Sequence, residues 1–247
     1  MVKEDLNSLK NDIKRIKKMG FIQCDYHSPG SAGIKLEKLL GINPENFEIP
    51  DYKSIEIKTK RSTIKKEISL FCATPDSYLF EIKRLHRLYA YPDKTYKNYK
   101  VLNNSVWCGK MTYISNNIYF SLRVDREKRK IFLIAHTRDF DIIDNQTSWS
   151  FEMLEEKLVR KLKYLCTVNM DKNFWQNQLY IRYKNDNYYK LRGFNYFIDL
   201  IECGKISVTF RIGVFKRGKR KGQIHDHGTQ FNINEDDLEL LFEKIIF

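Results

Sequence analysis

Residues 33–61 read GIKLEKLLGINPENFEIPDYKSIEIKTKR. Within this stretch, SIEIKT (54–59) has the alternation of a β-strand, on which successive side chains point to opposite faces. Ile55 and Ile57 therefore turn together toward a core, and Glu56 and Lys58 share the other face. Pro50-Asp51 forms a turn before the strand, from which Asp51 can converge on the face of Glu56. Upstream, Leu36, Leu39 and Leu40 predict a short buried helix stopped by Gly41, and this helix also carries Glu37. Two carboxylates from separate positions suit a hard divalent cation such as Mg²⁺, which prefers oxygen ligands and keeps several of its waters. Hydrolysis of a phosphodiester needs hydroxide at neutral pH and stabilisation of charge on phosphorus, and such a cation beside a lysine meets both needs. Read alone, D-x4-E-x-K in a lysine-rich chain describes an amphipathic strand with neighbouring surface charges at least as well.

Outward from this stretch the order of elements is mixed α/β. Leu6, Leu9, Ile13 and Ile16 recur at helical spacing and predict an N-terminal amphipathic helix ending near Met19-Gly20. A short strand, FIQC, and a flexible loop, SPGSAG, separate it from the helix of Glu37. Downstream come an apolar strand (ISLFCA), a helix around Tyr78 to Leu88, and the β-type runs VWCGKMTYI, IYFSLRV and KIFLIAH. A helix N-capped near Ser150 runs to Lys163 with Phe151, Leu154, Leu158 and Leu162 on one face, and leads into the strand YLCTV. FNYFIDLIECG reads as a helix closed by Gly204, ISVTFRIGVF and TQFNINE as two strands, and DDLELLFEKIIF as a terminal helix with acidic residues at its start.

Composition bounds what such a chain can be. It has 247 residues, 44 Lys+Arg against 31 Asp+Glu, a formal charge of +13, and 42% hydrophobic and 14% aromatic residues. That is too apolar for a disordered basic tail, and 11 Gly with 5 Pro exclude a low-complexity chain. The length suffices to bury a core without disulfides or structural metal. Cys24, Cys72, Cys108, Cys166 and Cys203 are widely spaced and contain no C-x-x-C pair, so neither a disulfide framework nor a zinc ribbon is encoded, and a reducing cytoplasm is the expected location. No apolar run approaches the roughly 18 residues of a membrane span. The positive charge favours a polyanionic partner, because lysine and arginine that neutralise phosphates release counterions from nucleic acid.

That charge is concentrated in RIGVFKRGKRKGQIHDHGTQFNIN (211–234). Lys216, Arg217, Lys219, Arg220 and Lys221 crowd together, and Gly218 and Gly222 permit close approach of the backbone. His225, Asp226, His227 and Thr229 follow with groups able to donate or accept at base edges. A solvated basic loop is the plain alternative. A zinc site on His-x-His ranks below DNA contact, since no further ligands of matching spacing complete it.

The order and spacing of these motifs resemble the PD-(D/E)xK endonucleases of the MutH and MvaI/BcnI group. In that group a G-x-x-(L/F)-E helix is followed by a P-D or D-F turn and an E-(I/L)-K-(T/S) strand. The basic segment is similar to the group's R-I-G…G-K-K-K-G-K-x-H-D-H-G-T-x-F-x-I-N pattern, and WSFEMLEEKL and KLVRKLKYL also have counterparts. Residues 78–144 align poorly. The resemblance implies Asp51 and Glu56 as ligands of Mg²⁺, Lys58 as the catalytic lysine and Glu37 as an auxiliary carboxylate. The implied fold is α/β, a restriction-endonuclease-like mixed sheet flanked by helices, with an added DNA-recognition lobe. Residues 1–247 would form a single two-lobed unit, with catalytic motifs near 33–60 and recognition near 205–234. The implied activity is type II restriction of double-stranded DNA by a monomer, with a cognate DNA methyltransferase in the same cell.

Residues expected to contact DNA are Thr209, Arg211, Lys216, Lys219, Lys221, His225, Asp226, His227, Thr229 and Asn232. Alternation places Thr209 and Arg211 on one strand face, and Arg211 suits a bidentate contact with guanine. In one member of that group, whose target is CCWGG, the two strands read D-I-R-I-G and T-x-F-R-I-N, where this chain has Thr209 and Asn232. Asn232 matches adenine, so a short site that keeps a G·C pair but differs from CCWGG is expected. Competing readings are a MutH-like nicking enzyme of mismatch repair, a non-catalytic DNA-binding module and an RNA-binding protein, the last without any RNP-type motif.

Overall fold

The computed structural model describes residues 2–25, 28, 30–42, 49–62, 67–77 and 80–247. In chain order it contains α1 (Val2–Lys18), β1 (Ile22–Gln23), α2 (Ser31–Leu39), β2 (Ile55–Arg61), β3 (Glu67–Cys72), α3 (Glu81–Tyr89), β4 (Tyr91–Pro92), β5 (Lys100–Val101) and β6 (Ser105–Val106). There follow β7 (Thr112–Ser115), β8 (Ile118–Asp125), β9 (Lys130–His136), β10 (Ile142–Asp144), β11 (Ser148–Ser150), α4 (Phe151–Leu162), β12 (Tyr164–Trp175) and β13 (Gln178–Leu191). The last elements are α5 (Phe194–Glu202), β14 (Ile206–Thr209), β15 (Ile212–Val214), β16 (Ile224–Asp226), β17 (Gln230–Asn234), α6 (Leu238–Leu241) and β18 (Phe242–Ile245). None of the described helices is long and apolar enough to cross a membrane.

The chain divides into two compact units. The first comprises residues 1–68, 157–193 and 238–247. Its sheet has the order β1-β13-β12-β2, with β18 also paired to β13. β2 runs parallel to β12, placing Glu56 opposite Leu165 and Lys58 opposite Thr167, and the other pairings are antiparallel. The sheet is thus mixed, as expected. Its long hairpin closes through Gln176 and Asn177, both at positive φ (48° and 61°), which turns the chain with the twist the flanking strands need. Leu6, Leu9, Ile13 and Ile16 of α1 and Leu36 of α2 are buried in one core with Ile55, Ile57, Cys166, Val168 and Ile181 of the sheet. Helix α1 carries Glu4 and Asp5 in its first turn and Arg15, Lys17 and Lys18 in its last, the charge order that the helix dipole favours.

The second unit comprises residues 69–156 and 194–237. It holds a sheet of order β10-β9-β8-β7 with β11 on β9, a sheet of order β3-β17-β14-β6, and the two-stranded pairs β15-β16 and β4-β5. Trp149, Phe120, Phe197, Phe210 and Phe231 are fully buried here. The Trp149 indole donates to the Ala73 carbonyl at 2.9 Å, which satisfies its one polar atom inside an aromatic core.

Four local expectations change. The terminal DDLELLFEKIIF is helical only through Leu241, and Phe242 to Ile245 instead form β18 along Leu191 to Tyr188. An open sheet edge satisfies these backbone groups better than another helical turn could. Ser31, Ala32 and Gly33, expected in a loop, open helix α2, where Ser31 and Ala32 are buried. The rest of that loop, and Tyr78 and Leu79 at the start of the expected third helix, lie partly or wholly outside the described residues. VWCGKMTYI breaks at Gly109 (φ 69°) into β6 and β7. ISVTFRIGVF is likewise two strands in two sheets, β14 and β15, interrupted at Phe210 and Arg211.

Candidate active site and recognition hairpin

The turn that carries Asp51 is folded back onto the strand that follows it. Tyr52 and Ile55 exchange backbone hydrogen bonds at 2.9 and 2.8 Å around Lys53, which adopts φ 52°. Helix α1 fastens this turn from one side. The Tyr52 hydroxyl donates to Asp12 at 2.9 Å and lies 2.9 Å from the Ser8 hydroxyl, and the Lys53 ammonium pairs with Asp5 at 3.0 Å. Asp51 then accepts a hydrogen bond from the Ile57 amide at 2.8 Å, so its carboxylate is held over β2.

Glu56 and Lys58 project from β2 on one face, as alternation requires, and Lys58 Nζ pairs with Glu56 Oε1. The Glu56 side chain is only 1% exposed. A second ammonium, from Lys161 in the last turn of α4, lies 3.5 Å from the same oxygen. The other oxygen, Oε2, is buried without a hydrogen-bond partner among the described residues. Burial raises the carboxyl pKa of Glu56 above the ordinary range. Lys58 and Lys161 pull it down, and the neighbouring Asp51 charge pushes it up. Glu37 is shifted upward as well, first by burial and then by Asp51, against the pull of Lys58 and Lys161.

Glu37, Asp51, Glu56, Lys58 and Lys161 line one cavity of about 450 Å³. All four residues singled out from the sequence thus come together, and Lys161 joins them. It went unnoticed because KLVRKLKYL offers several basic residues and no spacing that distinguishes one. Among the described residues no group of three or more His, Cys, Asp or Glu side chains is placed to hold a metal. Two carboxylates completed by waters would still suit Mg²⁺. The orphaned, buried Glu56 Oε2 fits that use, since an unpaired carboxylate oxygen in such a place calls for a cation.

In the second unit, β15 and β16 form a hairpin whose tip holds the exposed Arg217, Lys219, Arg220 and Lys221. Gly218 and Gly222, at φ 76° and 83°, supply left-handed turns that residues with side chains rarely adopt. Arg220 lies over the Phe215 ring at 4.1 Å. His225 stacks on Phe215, and His227 meets His225 edge-on, each pair at 4.2 Å between ring centroids. Burial lowers the His227 pKa, and the adjacent His225 and Arg211 charges reinforce this. Burial raises that of Asp226, which accepts a hydrogen bond from the Gly228 amide at 2.9 Å.

Several expected base readers have intramolecular partners. The Arg211 guanidinium donates to the carbonyls of His227 and, at 3.0 Å, Gly228, so it fastens the segment after β16. Asn232 is 6% exposed and donates to the Thr209 hydroxyl at 2.8 Å, which in turn lies 2.7 Å from Ser105 Oγ. Thr229 is buried, and its hydroxyl has no partner among the described residues. Lys216 pairs with Asp93 at 2.9 Å and covers the Tyr96 ring, while Lys219 and Lys221 point to solvent. The shared face expected for Thr209 and Arg211 is absent, because the strand between them is broken.

A mixed sheet bearing a turn aspartate, a buried strand glutamate and a lysine two residues further on defines a nuclease core of the PD-(D/E)xK class. The model of the MvaI/BcnI restriction endonuclease family matches residues 10–242, and the chain belongs to that family. It is a type II restriction endonuclease, a site-specific DNase. Among solved structures it is similar to the restriction endonuclease MvaI in complex with its cognate DNA substrate, at 30% identity over 97% of each chain and a TM-score of 0.89. It is also similar to MvaI in the absence of DNA, at 31% identity over 98% of this chain and 97% of that one, with a TM-score of 0.63. No curated protein sequence matches it.

Proposed function

We propose that the chain hydrolyses double-stranded DNA at a short site in a Mg²⁺-dependent reaction, with Asp51 and Glu56 holding the ion. The observation that carries this reading is the buried Glu56 Oε2, without a hydrogen-bond partner among the described residues, in a cavity shared with Asp51, Glu37 and Lys58. Mg²⁺ held there supplies charge that acidifies water and offsets the negative charge growing on the phosphate. Lys58 orients Glu56 in the free protein and, on the strand face beside the substrate, offers its ammonium to a non-bridging phosphate oxygen. Glu37, whose carboxyl pKa is pushed up by burial, lines the same cavity and is a candidate to exchange a proton with water there. Asp51 is kept in place by the Ile57 amide and so needs little reorganisation on binding.

On this reading the exposed Lys219 and Lys221 contact phosphates. Lys216, His225, Asp226, His227, Arg211, Thr209, Thr229 and Asn232 form or support the surface that reads bases. The similar MvaI chain was solved with its cognate DNA, which supports duplex DNA as the partner. The two units act as one monomeric, two-lobed nuclease, and a methyltransferase of the same specificity protects the host genome. The test is incubation with a plasmid of known sequence in Mg²⁺ and in EDTA, followed by sequencing of the fragment ends. Paired cuts at one recurrent site in Mg²⁺ alone support the proposal. Nicks confined to one strand would point to a MutH-like enzyme, and binding without cutting to a non-catalytic module.

A further inference from the structure

Glu56 receives two lysines on one oxygen and, among the described residues, no hydrogen-bond partner on the other. Lys58 comes from the same strand, whereas Lys161 comes from helix α4, and its position is set with unusual firmness. Leu158 and Leu162, three residues before it and one after, are fully buried and fix the rotation of the helix. Three residues beyond Lys161 the chain is already in β12, with Tyr164 in register with Ile55 and Leu165 with Glu56. The parallel ladder therefore ties the end of α4 to the strand that carries the carboxylate. The Lys161 side chain is 18% exposed and that of Lys58 29%, so Lys161 is the more withdrawn of the two. Burying a lysine is costly unless its ammonium meets an anion, and here it faces Glu56 Oε1.

Resting on the nuclease reading above, this arrangement raises a problem for Lys58. An ammonium that shifts toward a phosphate weakens its hold on Glu56, and a buried carboxylate stripped of its partner is left uncompensated. We infer that Lys161 is a positioning residue for cleavage, which keeps Glu56 anchored through Oε1, with Oε2 turned to the cation, while Lys58 engages the phosphate. Lys161 makes no contact with the reacting atoms in this role. It divides the work, one lysine for the carboxylate and one for the substrate.

Replacing Lys161 with Met keeps the aliphatic stem and removes the charge, and Lys161→Arg keeps the charge. The measurements are single-turnover cleavage in Mg²⁺, the Ca²⁺ concentration that half-maximally tightens DNA binding, DNA affinity without metal, and the thermal midpoint. Lys161→Met is expected to cut about 10- to 100-fold more slowly and to need about 10-fold more Ca²⁺, the usual effect of losing a residue that orients a metal ligand. DNA affinity without metal stays unchanged, and Lys161→Arg recovers most of both losses. Wild-type rate and Ca²⁺ midpoint in Lys161→Met overturn the inference. So does a lower Ca²⁺ midpoint, because it would mean that the lysine only repels the cation. If the Met variant fails to fold, Lys161→Gln replaces it, judged by the same two readouts. A wild-type protein that does not cleave in Mg²⁺ would refute the nuclease reading itself, whereas an active wild type beside an unaffected variant refutes only the role of Lys161.

Discussion

The cavity around Glu56 and the tip of the β15–β16 hairpin use charge in opposite ways. Around Glu56 the charges are few, withdrawn from water and matched against each other, except at one oxygen. At the hairpin tip the charges are many, of one sign and open to solvent. Buried charges are sensitive to the loss of any single partner, while exposed ones are screened and individually weak. Damage in the first unit should therefore abolish chemistry, and damage at the hairpin should weaken association by degrees.

The largest effect is expected from Asp51→Ala or Glu56→Ala, each of which should reduce cleavage by orders of magnitude in single-turnover assays while gel-shift affinity for DNA persists. Substantial cutting by Asp51→Ala would erase the contrast between the two regions. Replacing Mg²⁺ with Ca²⁺ should support binding with little turnover, because Ca²⁺ is larger, coordinates more flexibly and acidifies water less. Equal rates in the two ions would break this expectation.

The acid limb of the pH profile gives a related test. Burial raises both Glu37 and Glu56, so these groups take up protons at higher pH than ordinary carboxylates, and cleavage should fall off earlier as the medium is acidified. The sign for stability is the reverse. A carboxyl whose folded pKa exceeds its unfolded one costs stability when ionised, and lowering the pH through the folded value relieves that cost. Activity should therefore decline on acidification before the fold does, which cleavage rates and thermal midpoints measured on the same samples would reveal.

Arg211→Ala sits between the extremes. It removes donors to two backbone carbonyls, and a loss of about 1.5–3 kcal/mol in denaturant unfolding is expected, together with poorer discrimination among sites. Unchanged stability would show that the guanidinium is free to read bases. At the small end, Lys219→Ala with Lys221→Ala should lower affinity for all sequences alike and reduce the salt slope by about one unit per lost phosphate contact. Lys216→Ala should change the slope least, since Asp93 already balances its charge. Lys216 and two backbone amides hold the Asp93 pKa at about 2, so the stabilising pair is complete above the ordinary carboxylate range and is lost only as the pH falls toward that value. A salt slope for Lys216→Ala as altered as that of the double variant would place Lys216 on the DNA instead.

Strand β2, α1 and α4 were legible because their patterns are strong. The isoleucines of β2 alternate, and the leucines of the two helices recur at helical spacing. Strand β13 escaped notice because its apolar positions are largely tyrosines, with Tyr183, Tyr188 and Tyr189 buried between asparagine, lysine and arginine. The C-terminal segment misled because Leu238, Leu241, Phe242 and Ile245 fit a helical stripe, and only the open edge of β13 converts the second half to strand. At the candidate site, the motif singled out Glu37, Asp51, Glu56 and Lys58, which line one cavity. Lys161 depends on a register between residues far apart in sequence, which no local pattern records. The ties of Arg211 and Asn232 to their neighbours were equally hidden, since they follow from the break between β14 and β15.

The parallel pairing of β2 with β12 has a consequence for the living cell during synthesis. β2 is an edge strand whose sheet partner among the described residues is β12, and all of residues 62–163 must be made before that partner exists. A growing chain therefore carries its acidic residues and lysine for a long interval without the framework that assembles them. Contacts so distant in sequence form late. A chain that ends before Tyr164 lacks β12 altogether and so has no paired strand to hold β2, with Glu56 and Lys58, in the sheet.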